Sequence, residues 1–241
     1  MTTELVLLPL GVVAGALTQR ITGIGFALVC APLLVLIAGP FEGVVLSNLL
    51  GLAVSIVVFV TLWRDTEWRK GLLLVVPALV AIPFGAWVAR NVPPAPLMVI
   101  IGVTVIIALG AVVLSERARV LRGTGGAVVA GGASGFMNVT AGVGGPAIVL
   151  YAVSTAWEHR KFVATFQFYS IFVNVASLAA KGGLPQVSPA ALVISFGALA
   201  VGLVGGEFLS RRVDHELARR LAIGLALAGA TFTVVKGVLA W

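Results

Sequence analysis

The stretch Thr140-Ala141-Gly142-Val143-Gly144-Gly145-Pro146 decides how this chain folds, because a counterpart, Thr22-Gly23-Ile24-Gly25, stands about 119 residues earlier in a chain of 241. Both copies lie in sequence otherwise apolar enough to be embedded in a membrane. Glycine at that density ends a helix, and backbone groups freed in hydrocarbon are tolerated only where protein buries them or where they line a cavity. Two interruptions at corresponding places therefore predict two broken helices facing a protein-lined space.

Composition supports a membrane setting. Hydrophobic residues make up 60% of the chain and charged ones 10%, whereas a soluble domain carries roughly 25% charged residues. Long uncharged runs recur, among them 43 to 63, 71 to 89, 92 to 115, 162 to 180 and 182 to 206. A hydrocarbon core of about 30 Å needs about 20 helical residues, so most runs are one crossing long. The net charge of +7 does not point to nucleic acid, because the Lys and Arg residues are spread through short connections, as membrane orientation requires. The lone Cys30 excludes an intramolecular disulfide and reads as a small packing residue. The N-terminus, Met1-Thr2-Thr3-Glu4, is acidic where a signal peptide would be basic, and is expected to be retained.

Several features recur at the spacing of the glycine motif. Asn48 and Gln167 each stand 25 residues past Gly23 and Gly142, and Gly85 and Gly205, like Leu97 and Leu217, are 120 apart. The expectation is one domain, 1–241, made of two repeats of about 1–120 and 121–241. Twelve of the sixteen Lys and Arg fall in four places: Arg64, Arg69 and Lys70; Arg117, Arg119 and Arg122; Arg160 and Lys161; and Arg211, Arg212, Arg219 and Arg220. These connections are expected to be cytoplasmic. The uncharged run of 35 residues between Arg122 and Glu158 would reach roughly 52 Å as one helix, so it must bend back, near Asn138 to Gly145. The first 38 residues take the same form, bending near Gln19 to Gly25. The predicted fold is thus an all-α polytopic membrane protein of two inverted repeats, each a broken or re-entrant helical hairpin plus three transmembrane helices, with both termini extracytoplasmic.

A helix restarting after each motif directs unpaired N–H groups and the positive end of its dipole at the break, a setting that attracts an anion. Candidate anion-binding residues are Thr22, Gly23, Gly25, Thr140, Gly142, Gly144 and Gly145, with Pro146 early in the second restarted helix, where a missing N–H costs little. The alternative is that these glycines only let helices pack closely. Asn48 and Gln167 either bind an oxyanion through their NH2 groups or join helices, and Asn138 and Asn174 read as inter-helix bonds. Arg20 is either an intramembrane functional charge or an interfacial residue at the cytoplasmic face. Glu207 is a candidate for proton coupling, set against an ion pair with Arg211. Glu42 suits a helix start through the dipole alone, and His159 is expected in solvent.

No metal-ligand cluster, nucleophile constellation or phosphate-binding loop with its lysine occurs. The expectation is therefore no enzyme and no cofactor, and no transport driven by the chain's own ATP hydrolysis. A pair of Gly/Pro-interrupted hydrophobic segments in two halves points to the substrate site of a secondary transporter. A passive anion channel would use the same donors, and a non-transporting scaffold would use none. The partners expected are a small anion and the lipid bilayer, with no nucleic acid; a homo-oligomer stays open.

The chain resembles the sulfite exporter TauE/SafE family of bacterial membrane permeases. The resemblance runs over Gly15 to Phe26 and Pro32, the helix around Asn48, Gly85 to Pro93, Gly135 to Pro146 and Gly205 to Leu217. Where the family tends toward three consecutive glycines, the first copy here has Gly25-Phe26-Ala27. The resemblance implies transport of small sulfur-containing or organic anions, such as sulfite or sulfonates, across the bacterial inner membrane, often as export.

Overall fold

The computed structural model describes residues 2–22, 25–114, 121–210, 212 and 215–241. Its elements are α1 (Thr2–Thr22), α2 (Phe26–Ala38), α3 (Pro40–Leu62), a 3₁₀ turn (Trp63–Asp65), α4 (Trp68–Asn91), α5 (Pro94–Leu114), α6 (Gly123–Ala141), α7 (Gly145–Ser154), α8 (His159–Ala180), α9 (Pro189–Ser210) and α10 (His215–Leu239). Among the described residues all the regular structure is helical, as expected. The boundaries follow from local chemistry. Gly39, at φ +87°, turns the chain between α2 and α3, and Pro40 then opens α3 at a position where its missing N–H is harmless. Gly142, at φ +72°, ends α6 in the left-handed region that a side chain would strain.

Six helices are long and apolar enough to cross a membrane: α3, α4, α5, α8, α9 and α10. The two hairpins are different. With 13 and 10 residues, α2 and α7 rise only about 20 and 15 Å, short of the roughly 30 Å hydrocarbon core. Neither is long enough to cross that core alone, and each restarts after a break in an apolar hairpin. The bends fall where the glycine motifs predict them.

One helix shows what surrounds the bundle. α4 exposes Leu72, Val76, Val80, Phe84 and Trp87, a stripe with a helical repeat and exposures of 52 to 68%, while Gly71, Leu74, Ala78, Ile82 and Gly85 face inward. A continuous exposed apolar stripe of that length marks a surface that meets lipid or another protein, and the length and hydropathy of α4 fit a membrane span. The half-exposed Trp68 and the exposed Trp87 lie near opposite ends of α4, about 28 Å apart along the axis. That separation suits the two interfacial belts where Trp concentrates.

The four most extensive helix–helix contacts are α1 with α9, α4 with α6, α5 with α10 and α3 with α8. Small residues allow the close approach, as they do in membranes generally, where the hydrophobic effect does not draw helices together. A Cβ on Gly135 of α6 would lie 2.6 Å from Ala78 O of α4, one on Gly202 of α9 2.6 Å from Ala16 Cβ of α1, and one on Gly102 of α5 2.7 Å from Ala230 O of α10. Exchanging every helix for the one five places along leaves this set of four pairs unchanged.

Other contacts do not survive that exchange. α2 packs extensively on α3, whereas α7 barely touches α8; α4 packs on α8, whereas α9 meets α3 only lightly. The ends of the bundle are latched in related ways. The Glu67 N–H, just before α4, donates to Thr165 Oγ1 in α8 at 2.9 Å, and the Gln186 N–H, before α9, donates to Glu42 Oε2 in α3 at 2.7 Å. Glu42 thus has a specific acceptor role beyond the helix dipole expected of it.

Candidate functional site

Both helix breaks open onto a cavity of about 50 Å³, room for a few water-sized groups. Gln19 comes from the end of α1 and Phe26 to Leu28 from the start of α2; Asn138 and Gly142 to Gly145 come from the second break. The walls between them are α3, with Ser47, Gly51 and Ser55, and α8, with Gln167, Ser170 and Asn174. Among the described residues no charged side chain lines it.

The lining repeats itself. Gln19 and Asn138, Phe26 and Gly145, Gly51 and Ser170, Val54 and Val173, and Ser55 and Asn174 are pairs of lining residues, each 119 positions apart. Asn48 and Gln167 share that interval. The space therefore lies where corresponding parts of the two halves face each other. Carboxamides from both halves converge on it.

Asn138 is the hub of the polar network. Its Nδ2 is placed to donate to Asn48 Oδ1 at 3.3 Å, Asn174 Oδ1 at 3.2 Å and Ser177 Oγ at 3.2 Å, linking α6 with α3 and α8. Asn138 and Asn174 thus have the inter-helix role read from the sequence. The consequence falls on Asn48. Its oxygen is engaged while its Nδ2, in a residue 1% exposed, has no hydrogen-bond partner. Ser47 Oγ, at the cavity and equally buried, is also unpartnered. Buried polar groups are as a rule hydrogen-bonded, so these two atoms mark where a polar guest would be stabilised.

The second break is shaped around the same point. A Cβ on Gly142 would lie 3.4 Å from Ser47 Oγ, and one on Gly144 would meet Ser134 Oγ at 2.7 Å and Ser134 O at 2.8 Å. Gly144 has an ordinary φ of −92°; its need for glycine is space, not backbone conformation. Ser134 Oγ donates to Gly144 O at 2.6 Å, which fixes the turn. α7 then begins without a side-chain cap. At the first break, by contrast, the Phe26 N–H donates to Gln19 Oε1 at 3.0 Å.

The sequence-derived candidates divide accordingly. Gly142, Gly144, Gly145 and Gln167 line the cavity, and Asn48 adjoins it through Asn138. Gly25 is the residue before α2, next to the lining Phe26. Thr22 ends α1, but its side chain, like Gly23, lies outside the described residues. Thr140 turns away: its Oγ1 donates to Phe136 O at 2.7 Å, and its methyl group faces Gly85 of α4. Arg20 and Glu207 are outside the cavity and pair with each other at 2.6 Å, joining α1 to α9. Glu207 therefore has a partner other than Arg211, which lies outside the described residues. His159 is exposed, as expected. Sequence reading missed Gln19, Ser47 and Ser55; the 119-residue interval would have found Gln19 and Ser55 opposite Asn138 and Asn174.

Neither a curated protein nor a solved structure matches the chain. The family model described as sulfite exporter TauE/SafE matches residues 7–233. That span begins within α1, ends within α10 and includes every residue that lines the cavity. The chain belongs to the sulfite exporter TauE/SafE family of multi-pass membrane transporters.

Proposed function

We propose that this protein is a secondary transporter that exports a small sulfur-containing or organic anion, sulfite or a sulfonate, across the bacterial inner membrane by alternating access. The observation that carries this reading is the pair of buried, unpartnered donors, Ser47 Oγ and Asn48 Nδ2, beside a small cavity that no charged side chain among the described residues lines and where both broken helices end. A lone anion there meets N–H dipoles and hydroxyl and amide donors, and no carboxylate among the described lining residues repels it. Hydrogen bonds to a charged group are worth about 1.5–3 kcal/mol each, so three or four would contribute roughly 5–12 kcal/mol against the cost of association and ordering.

We read the chain as one domain of two inverted repeats, about 1–120 and 121–241. Support comes from the interval of 119 across the cavity lining and from helix pairs that persist when the halves are exchanged. The alternating-access reading draws on the contacts that do not persist. In such a cycle the two halves swap conformations, so at either end of it equivalent interfaces are unequal, as α2–α3 and α7–α8 are here.

The test is sulfite flux in proteoliposomes. Saturable movement that follows an imposed gradient of a second ion is expected. Flux that rises linearly with concentration and responds to no second gradient would replace the transporter by a channel; no flux, and no protection of the protein by any small anion, would leave a scaffold. Orientation is tested by cysteine accessibility in a Cys30→Ala background, with residues 158–161 expected to be cytoplasmic and 39–42 extracytoplasmic. Both segments on one side would end the inverted-repeat model.

A further inference from the structure

A second cavity, of about 260 Å³, is lined by Gln19 and Arg20 at the end of α1, Val58 and Leu62 at the end of α3, and His159 and Arg160 at the start of α8. It lies on the basic face, where α3 ends and α8 begins. Its two guanidinium groups are held in place, Arg20 by Glu207 at 2.6 Å and Arg160 by Asp65 at 2.8 Å. Gly206 of α9 makes room for the first of these pairs, since a Cβ there would meet Arg20 Cβ at 2.7 Å. Among the described residues Gln19 alone lines both this cavity and the central one. Its side chain, in a residue 5% exposed, stands between them with Oε1 on the Phe26 N–H.

That contact has the chemistry of the ligand it blocks. A carboxamide oxygen accepting from the first N–H of a restarted helix occupies the position that an oxyanion's oxygen would take there. An incoming anion makes the stronger, charge-assisted version of the same bond, and so competes for it. We propose that the 260 Å³ cavity is an antechamber for a small oxyanion and that Gln19 is the gate between it and the central cavity, released when the anion takes over the Phe26 N–H. The occupant rests on the transport reading above; the gate is testable without it.

The test uses the full chain in inside-out vesicles, with Ser170→Cys placed at the central cavity in a Cys30→Ala background. The probe is 2-sulfonatoethyl methanethiosulfonate, a membrane-impermeant anionic thiol reagent, applied to the basic face. Gln19→Met keeps the length of the side chain but loses the oxygen that holds the Phe26 N–H, and should speed modification about tenfold, the equivalent of one neutral hydrogen bond. Gln19→Glu keeps the acceptor and adds a negative charge, and should slow modification by about as much. Should the methionine variant fail to fold, Gln19→Asn, one methylene short of the Phe26 N–H, is expected to behave like it. Rates that do not change in these variants would overturn the gate, whether or not the vesicles move sulfite. Rates that follow residue 19 in vesicles without sulfite flux would keep the gate and remove the transport reading.

Discussion

The two helix breaks occupy corresponding positions and do different work. At the first, Gln19 reaches across the interruption and caps α2 through the Phe26 N–H. At the second, the corresponding residue is Asn138, one methylene shorter, and its NH2 turns sideways to Asn48, Asn174 and Ser177. One carboxamide closes its own half-site; the other ties the walls of the shared cavity together. The glycines differ in the same sense. Phe26 and Ala27 stand where the second copy has Gly145 and Pro146, so the aromatic ring of the first break has no counterpart at the second. On the reading proposed above, the doubled motif is a site with a fixed side and a gated side.

The largest effect is expected at Gly144. In Gly144→Val the new side chain meets Ser134 Oγ and O, both under 3.0 Å from its Cβ, and the resulting displacement of the second break should weaken sulfite binding about a hundredfold, the equivalent of an overpacking cost of about 3 kcal/mol. Gly197→Ala, whose Cβ meets open space, is the control and should bind like the parent. Equal affinity in both variants would mean that the second break is not the fixed side.

Next comes the hub. Asn138→Ala removes two N–H donors shared among three buried acceptors, and unmade buried hydrogen bonds cost about 1–3 kcal/mol each, so about 3 kcal/mol of stability should go, read as a lower Tm in detergent. Gln19→Asn, at the corresponding position, removes the cap on the Phe26 N–H and should cost about 1 kcal/mol. Similar losses in the two variants would erase the distinction between the breaks.

The two ends of α8 extend the contrast. At its start Arg160 pairs with Asp65 and Lys161 with Glu158. At its end Lys181, 6% exposed, lies over the Phe41 ring at 4.8 Å with no hydrogen-bond partner for Nζ. Burial, offset in part by Glu42 and reinforced by Arg90, pushes its ammonium from the ordinary 10.5 down to about 7. The unfolded chain then holds a proton that the folded one has lost between those two values, so stability rises with pH there, by up to about 1.4 kcal/mol per unit. Below about 7 both states are protonated and this contribution is flat. Thermal melts at pH 6.5 and 9 should show the rise in the parent and not in Lys181→Met; the same rise in both would assign it elsewhere.

The sequence was legible where one segment decides its own structure. Glycine-rich interruptions flanked by apolar runs place both breaks, and run length gives the six long helices, because helix ends and membrane spans are local matters. Asn48 and Gln167 stood out as amides in apolar helices. What the chain order hides is which face of a helix meets which neighbour. Thr140 sits inside the motif, yet its hydroxyl bonds back to the preceding turn, a choice set by the packing of α4 against α6. Arg20 finds Glu207 only because α1 lies along α9, a pairing between residues 187 positions apart. Gln19 was passed over because its partner is a backbone N–H across the break, which composition does not mark.

The central claim is that one cavity takes donors from both halves, and sulfite affinity measured by calorimetry in folded Asn48→Ala and Gln167→Ala tests it most directly. Each variant removes a carboxamide from a different half, and the loss of one charge-assisted hydrogen bond should weaken binding about ten- to a hundredfold in both. If both variants bind sulfite as the parent does, the anion is held elsewhere and the meeting of the two breaks is a packing feature.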